Sequence, residues 1–380
     1  MLTPKERILT AISHKEPDRV PVGEWQFGEE LIQPVSGKKP LFFNGLYTMQ
    51  ALWDGRRDEI FDEWKKGIVE IVLKLGWDAV LVHLVADKDA RVDVPERIDE
   101  SNWKYSNGAV IRYSKETNRF FTVQGGTAAK DNTGKAPDEP TDSQMEIVRH
   151  VIKELGKTHF VFSAPLAGGG ALSGAAPVGP VVNEVENWVR LYEDPDRYLE
   201  QHMAGMANPL TEKGLEISRR EGIDGIAYGC DYGMTTGPFM SPAMFRKAIL
   251  PPLAKYVEMV HNKGMIFLHH ACGNNQVLMD MIVDAGVDVY QSIQTEMDII
   301  KMKKRYGNNI TLWGGVPAGD LVTSTPEKVY REAKKYLEEC KPGGGYIFGT
   351  SHSVMPDAKC ENYMAMLDAH RKFGEYEKKE

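Results

Sequence analysis

The alternation of short apolar runs with helical stretches constrains this chain more than any other feature of its sequence. Arg19–Gly23, Ala79–His83, Phe160–Phe162, Gly225–Tyr228, Ile266–His269, Val287–Tyr290, Ile310–Trp313 and Tyr346–Phe348 are each too short for a helix and rich in β-branched or aromatic residues. Most are followed by a stretch of helical period. Strands that alternate with helices imply a parallel sheet, and eight such units in 380 residues favour an α/β fold closed as a (β/α)8 TIM barrel over an open sheet.

The helix boundaries carry their own signals. Thr3-Pro4-Lys5-Glu6 is a capping box ahead of Ile8, Leu9 and Ile12, and that helix is expected to end near His14. Between Asp58 and Leu75 the residues Ile60, Phe61, Trp64, Ile68, Ile71 and Val72 recur at helical spacing, and Gly76 stops the pattern. Helices are likewise expected over 143–156, 242–263 and 277–285, and over 326–340 with Thr325 as cap. Residues 28–57 show no period and read as irregular.

One region breaks the alternation. Asn107-Gly108 lies between two apolar-aromatic runs, and Glu116-Thr-Asn118 precedes a third, Arg119–Val123. The pattern predicts a small antiparallel β-hairpin or meander insertion over 90–126, placed within a single TIM-barrel domain spanning 1–380.

Charge and composition exclude several functions. A net charge of -8, with no run of five basic residues, argues against nucleic acid and membrane surfaces as partners. No window approaches a membrane span, and the first residues lack the apolar core of a signal peptide, so the expected location is cytoplasmic. Four cysteines are too few for a disulfide scaffold; beside strand ends they read as metal ligands or buried thiols.

Functional residues of a barrel gather where its strands end. Those ends offer Glu24 and Trp25, His83, the turn from Pro165 to Gly174, Cys230 and Asp231, His270 and Cys272, Gln291 and Gln294, Trp313, and Thr350 to His352. A thiolate and an imidazole two residues apart, His270 and Cys272, suit zinc, a borderline-soft ion bound by nitrogen and sulfur. A third ligand must come from another strand end. His352 is the best placed, Cys230 is a rival, and Asp231 and Cys360 are weaker ones. Without a metal, the same residues read as a buried thiol and capping histidines. Asp231 suits an acid, a base or a substrate anchor, and equally a turn residue bonding its own backbone. The glycine-rich run Gly168–Gly174 fits neither a P-loop nor a dinucleotide fingerprint.

Several motifs together carry a family resemblance: Lys5–Pro21, Leu191-Tyr-Glu-Asp-Pro195, Gly229-Cys-Asp-Tyr-Gly233, Ser241–Phe245, His270-Ala-Cys-Gly-Asn274, and Ser351–Pro356 followed by Glu361-Asn362. On these the chain resembles the uroporphyrinogen decarboxylase superfamily, and within it the cobalamin-dependent methyltransferase branch, whose members include the methyltransferase components of O-demethylases. The resemblance implies zinc held by His270, Cys272 and His352, the last at a position where that branch carries cysteine. Porphyrinogen decarboxylation is disfavoured, because the decarboxylase's Arg-Gln-Ala-Gly-Arg signature is replaced here by Gly23-Glu-Trp-Gln-Phe-Gly28.

The implied activity is methyl transfer between a small methylated substrate and the cobalamin of a separate corrinoid protein. Zinc as Lewis acid stabilises charge growing on the leaving oxygen. Asp231, His270 and Cys272 would form the catalytic set. Glu24, Trp25 and Trp313 would bind substrate, the aromatic rings inclining the reading toward aryl methyl ethers. Alternatives are a second-step enzyme passing the methyl group to a thiol or to tetrahydrofolate, a decarboxylase-like lyase or tetrapyrrole-binding protein, and a metal-free lyase using Asp231 as acid. A homodimer is compatible with all of them.

Overall fold

The computed structural model describes residues 1–40, 45–90, 92–125, 139–167 and 185–377, with only the backbone at 185–187. The expected turn at Gly168–Gly174 lies outside these residues. The strands in chain order are β1 (Ala79–Val82), β2 (Glu96–Arg97), β3 (Asn102–Lys104), β4 (Val110–Ser114), β5 (Arg119–Gln124), β6 (Phe160–Ser163) and β7 (Gly225–Gly229). Then come β8 (Gly233–Met234), β9 (Gly237–Pro238), β10 (Ile266–His270), β11 (Val289–Gln291), β12 (Thr311–Val316) and β13 (Tyr346–Thr350).

Seven of these form one parallel sheet in the order β1-β6-β7-β10-β11-β12-β13, which is also their sequence order. Its two faces pack differently. Ala79, Phe160, Phe162, Ala227, Leu268, Val289, Trp313 and Ile347 form one cluster, joined by Trp25 and by Ile8 of the N-terminal helix. That cluster unites the first and last strands, so the sheet is curled with these side chains inside. Alternate residues, among them Val80, Val161, Ile226, Tyr228, Phe267, Tyr290 and Phe348, point the other way into the larger layer shared with the helices.

The expected strand at Arg19–Gly23 has no ladder of its own. Val22 makes a single parallel bridge to Phe348. The Phe348 N–H donates to Pro21 O at 2.8 Å, and the Asp78 N–H, one residue before β1, donates to Val22 O at 2.7 Å. Pro21 has no N–H to extend the pairing. This segment therefore touches both edge strands while the laddered sheet has seven members.

Buried charge fastens the same segment. Asp78, with no exposed surface, accepts from Arg7 Nη1 at 2.5 Å, Arg19 Nη1 at 2.8 Å and the Val22 N–H at 2.8 Å.

The N-terminal helix, Pro4–Ile12, has its Thr3–Glu6 capping box, and the helix Pro326–Cys340 starts at its Thr325 cap as expected. Arg57–Leu75 stops at Gly76, whose φ of 71° suits glycine. The expected helix over 242–263 holds a π-turn at Phe245–Ile249. Pro251 and Pro252 follow one residue later, and a proline ring crowds the carbonyl four residues back, within the π-turn. Residues 28–57 are corrected: they contain helices Glu29–Ser36 and Gly45–Trp53. Pro34 and the flanking glycines hide the first from a sequence reading, and Leu31, Ile32 and Ala51 hold the pair by packing into the outer core.

The insertion is a four-stranded antiparallel sheet, β2-β3-β4-β5, one strand more than the meander expected. Glu96–Arg97 was too short and too polar to signal a strand.

Candidate functional site

The C-terminal ends of β10, β11 and β13 carry the chemistry. Along β10, Leu268 belongs to the inner cluster while Phe267 packs in the outer layer. Two-residue periodicity therefore sends His270 inward and His269 outward. His269 is fully buried beside Tyr228, Tyr232, Phe267 and Tyr290, with neither ring nitrogen hydrogen-bonded. It is a core residue. His270 instead stacks under Trp25, ring centroids 5.1 Å apart and planes inclined by 26°.

Just beyond β10 the chain turns sharply to present Cys272. The Cys272 N–H donates to Asp231 Oδ1 at 3.1 Å, the Gly273 N–H to Gln294 Oε1 at 3.0 Å, and the Asn274 N–H to Met234 O at 2.8 Å. Gly273 has φ of 99° and lies so close to Gly233 that a Cβ would collide with its backbone. Asn275 closes the turn, its amide donating to Ala271 O, Cys272 O and Tyr290 Oη. The run Gly-Asn-Asn thus holds the thiol in place by its own backbone bonding.

His352 arrives from the loop after β13. The Thr350 N–H donates to Glu24 Oε1 at 3.2 Å, and the Thr350 hydroxyl makes close contacts with both Glu24 Oε2 and His352 O. One hydroxyl proton cannot serve two acceptors. Burial pushes Glu24 up to about 8, so its carboxyl keeps a proton at neutral pH. That proton can go to Thr350 Oγ1, which then donates its own to the His352 carbonyl. Glu24 in this way anchors the loop that carries His352.

Three donor atoms converge. His352 Nε2 lies 3.1 Å and His270 Nε2 3.3 Å from Cys272 Sγ, and all three are within 4.8 Å of one another. Among the described residues this is the one group of histidine, cysteine or acidic side chains arranged to hold a metal ion. The donors fit zinc chemically. His270 Nδ1 faces the Gln291 amide oxygen, which can only accept, so the proton sits on Nδ1 and Nε2 turns its lone pair toward the sulfur. Burial brings His270 down to about 4 and lowers His352 as well, so both imidazoles are neutral. Burial and then the Asp231 charge push the Cys272 thiol up, while the Ser292 hydroxyl, 3.3 Å from Sγ, opposes them. A bound dication reverses that balance and favours the thiolate. Nitrogen and sulfur on a tetrahedral zinc stand about 3.6 Å apart, so these donors need to spread by only about 0.3–0.5 Å.

The other residues singled out from sequence fall around this centre. Cys230, the residue after β7, continues the outward parity of Ile226 and Tyr228 and is buried in the outer core. It is not among the converging donors, because odd and even positions of a strand cannot face the same side. Cys360 begins the helix Cys360–Phe373 and does not join them either. Asp231 holds the Cys272 turn. Trp313 is buried behind Trp25, centroids 6.1 Å apart, and donates Nε1–H to Gly23 O at 3.1 Å. Trp25 is thus the aromatic ring in contact with the centre, while Trp313 and Glu24 support it from the core. Burial lowers His83 to about 4, leaving a neutral imidazole after β1.

Sequence reading missed the parts played by Gln291, Ser292 and Thr350. Gln291 was visible as a strand end at the inward parity of Val289. Ser292, whose φ of 77° is unusual for a side-chain-bearing residue, left no signal.

Residues 220–373 match the model of the uroporphyrinogen decarboxylase (URO-D) family. This stretch contains Cys272, His270 and His352. Uroporphyrinogen decarboxylase from Streptomyces griseus subsp. griseus is 24% identical over 179 residues, covering 47% of each chain. The same enzyme from Methylococcus capsulatus is 32% identical over 95 residues, covering 25% of this chain and 27% of its own. The matches thus span about half the length of these curated relatives or less. Over the whole fold, a methyltransferase from Methanosarcina mazei superposes with a TM-score of 0.64 at 19% identity, covering 98% of this chain and 99% of that one. At that identity the likeness is one of fold.

Proposed function

We propose that this chain, whose residues 220–373 match the uroporphyrinogen decarboxylase family model and whose fold resembles that of a methyltransferase, is a zinc-dependent methyltransferase. It moves a methyl group between a small methylated substrate, an aryl methyl ether in the favoured case, and the cobalamin of a separate corrinoid protein. The observation that carries this reading is the convergence of His270, Cys272 and His352 at the C-terminal ends of parallel strands. The same reading takes the sheet as a (β/α)8 barrel completed by Arg19–Gly23, in a single domain with the insertion at 90–126, acting in the cytoplasm. Among the described residues no helix is long and apolar enough to cross a membrane.

Zinc, when bound, supplies Lewis acidity toward the oxygen that the methyl group leaves. The chain's own residues prepare the place. Gln291 fixes the His270 tautomer, and Asp231 holds the Cys272 amide while setting a negative field over the donors. Glu24 and Thr350 anchor the His352 loop. Trp25 covers one side of His270 with an apolar face, excluding water there.

The test couples metal analysis to transfer. Purified protein is expected to hold one zinc per chain, lost on changing Cys272, His270 or His352 to alanine. With a reduced corrinoid protein and a panel of methoxyarenes, methylamines and thioethers, the corrinoid absorption spectrum should change with at least one methoxyarene. Protein without stoichiometric zinc, or a spectrum unmoved by every donor, would rule the proposal out.

A further inference from the structure

The insertion sheet ties a cation to the segment that borders the three converging side chains. The turn ending at Asn118 is pinned from both sides, its side-chain oxygen accepting from the Gly45 N–H at 3.1 Å and from Tyr113 Oη at 2.8 Å. Arg119 follows as the first residue of β5, and its Nη2 donates to Gln26 Oε1 at 3.1 Å. Gln26 sits between the two ligand segments. Its neighbour Trp25 stacks on His270, and its own carbonyl accepts from the Val354 N–H at 2.9 Å, two residues past His352. Through Gln26 the guanidinium is tied both to the segment that stacks on His270 and to the loop that carries His352.

Arg119 is exposed, and among the described residues its side chain bonds Gln26 and pairs with no carboxylate. Bracing Gln26 uses one of five N–H donors and needs no positive charge. A fixed cation beside a site for a dication is electrostatically adverse. The cation makes sense when the third participant is an anion.

We infer that Arg119 is a specificity-determining residue, its guanidinium clamping a carboxylate or sulfonate on the methyl-bearing substrate so that the methyl group faces the metal centre. This inference rests on the proposed reading, which names the substrate only as a small methylated compound. A planar guanidinium matches both oxyanions in two-pronged geometry, which a lysine cannot reproduce.

The test is calorimetric titration of the zinc-loaded, full-length protein with 3-methoxybenzoate, 3-methoxybenzenesulfonate and neutral 3-methylanisole. Wild type should bind at least one anion about tenfold more tightly than 3-methylanisole. Arg119→Gln should bring the probes within about twofold, and Arg119→Lys should keep part of the preference. Since Arg119 is exposed, unchanged circular dichroism is expected in both variants. Whether benzoate or sulfonate is preferred tells which oxyanion the site takes. Equal affinities in wild type, failure to bind any probe, or a preference that survives Arg119→Gln overturns the inference. Methyl transfer without anion preference overturns this inference and leaves the methyltransferase reading standing. Anion preference with no transfer from any donor does the reverse.

Discussion

Gln291 caps the Nδ1–H of His270 from the adjacent strand, and this one contact decides which nitrogen of the imidazole faces Cys272. A metal needs the lone pair on Nε2, so an acceptor on the far side of the ring orients the ligand and raises its basicity. Gln291→Leu should therefore lower zinc affinity by about 10- to 100-fold without unfolding the protein. Competition with a chromophoric chelator measures this; an unchanged affinity would show that His270 is oriented by other means.

His269 and His270 are neighbours with opposite roles. His270→Phe should abolish stoichiometric zinc, whereas His269→Phe should retain it. Both nitrogens of His269 are buried without partners among aromatic rings, so an apolar ring of similar shape removes two unsatisfied groups. Its melting midpoint is expected within about 3 °C of wild type or above it. Loss of zinc from the His269 variant would contradict the inward parity of His270.

Glu24 makes stability depend on pH. Its carboxyl is held up to about 8 by burial, against 4.5 for an unburied glutamate. Between those values the folded chain keeps a proton that the unfolded chain gives up, so this residue's contribution falls as pH rises from 4.5 to 8. The slope is at most about 1.4 kcal/mol per pH unit. Glu24→Gln, which cannot ionise and can still donate toward Thr350, should flatten the decline. Urea denaturation at pH 5.5 and pH 8, read as the difference between wild type and variant, checks it; parallel curves would place the titration elsewhere.

Asp78 joins the N-terminal segment to the sheet. Asp78→Asn removes the buried carboxylate that Arg7 and Arg19 share, leaving Arg7 with Asp18 alone and Arg19 without its ion pair, and should cost about 3 kcal/mol. Val20–Val22 should then exchange its amide protons faster than the strands beside it. Hydrogen exchange by mass spectrometry distinguishes this from a uniform loss of stability, which would show that Asp78 does not act locally.

The zinc affinity proposed for this site should depend on pH. Because burial and Asp231 hold the Cys272 thiol above its ordinary range in the metal-free site, binding must release its proton, whereas the imidazoles are already neutral near pH 7. Apparent zinc affinity is expected to rise about tenfold per pH unit between pH 6 and pH 8, roughly one proton released per ion. A flat profile would mean that the thiol does not bind the ion.

The sequence by itself determined the features written in short-range chemistry. The Thr3 and Thr325 caps, the stop at Gly76, the short strands and helices, and the pairing of His270 with Cys272 at a strand end all rest on residues a few positions apart, whereas His352, 80 positions from Cys272, entered as third ligand through the family resemblance. Hydrogen bonds to the nearest backbone and the two-residue period of a strand fix such features before the chain folds. What only the tertiary structure decided was which face of each strand looks inward. That choice depends on the curl of the sheet, which brings β1 and β13 into one cluster, and it separates His270 from His269 and sets Cys230 apart from the donors. The helices at Glu29–Ser36 and Gly45–Trp53 also waited for the outer core to hold them, since neither is long enough to stand alone. Arg119 is the extreme case. It lies 93 positions from Gln26 in sequence, on a sheet whose local pattern says nothing about the metal centre, and only the packing of the insertion places its charge there.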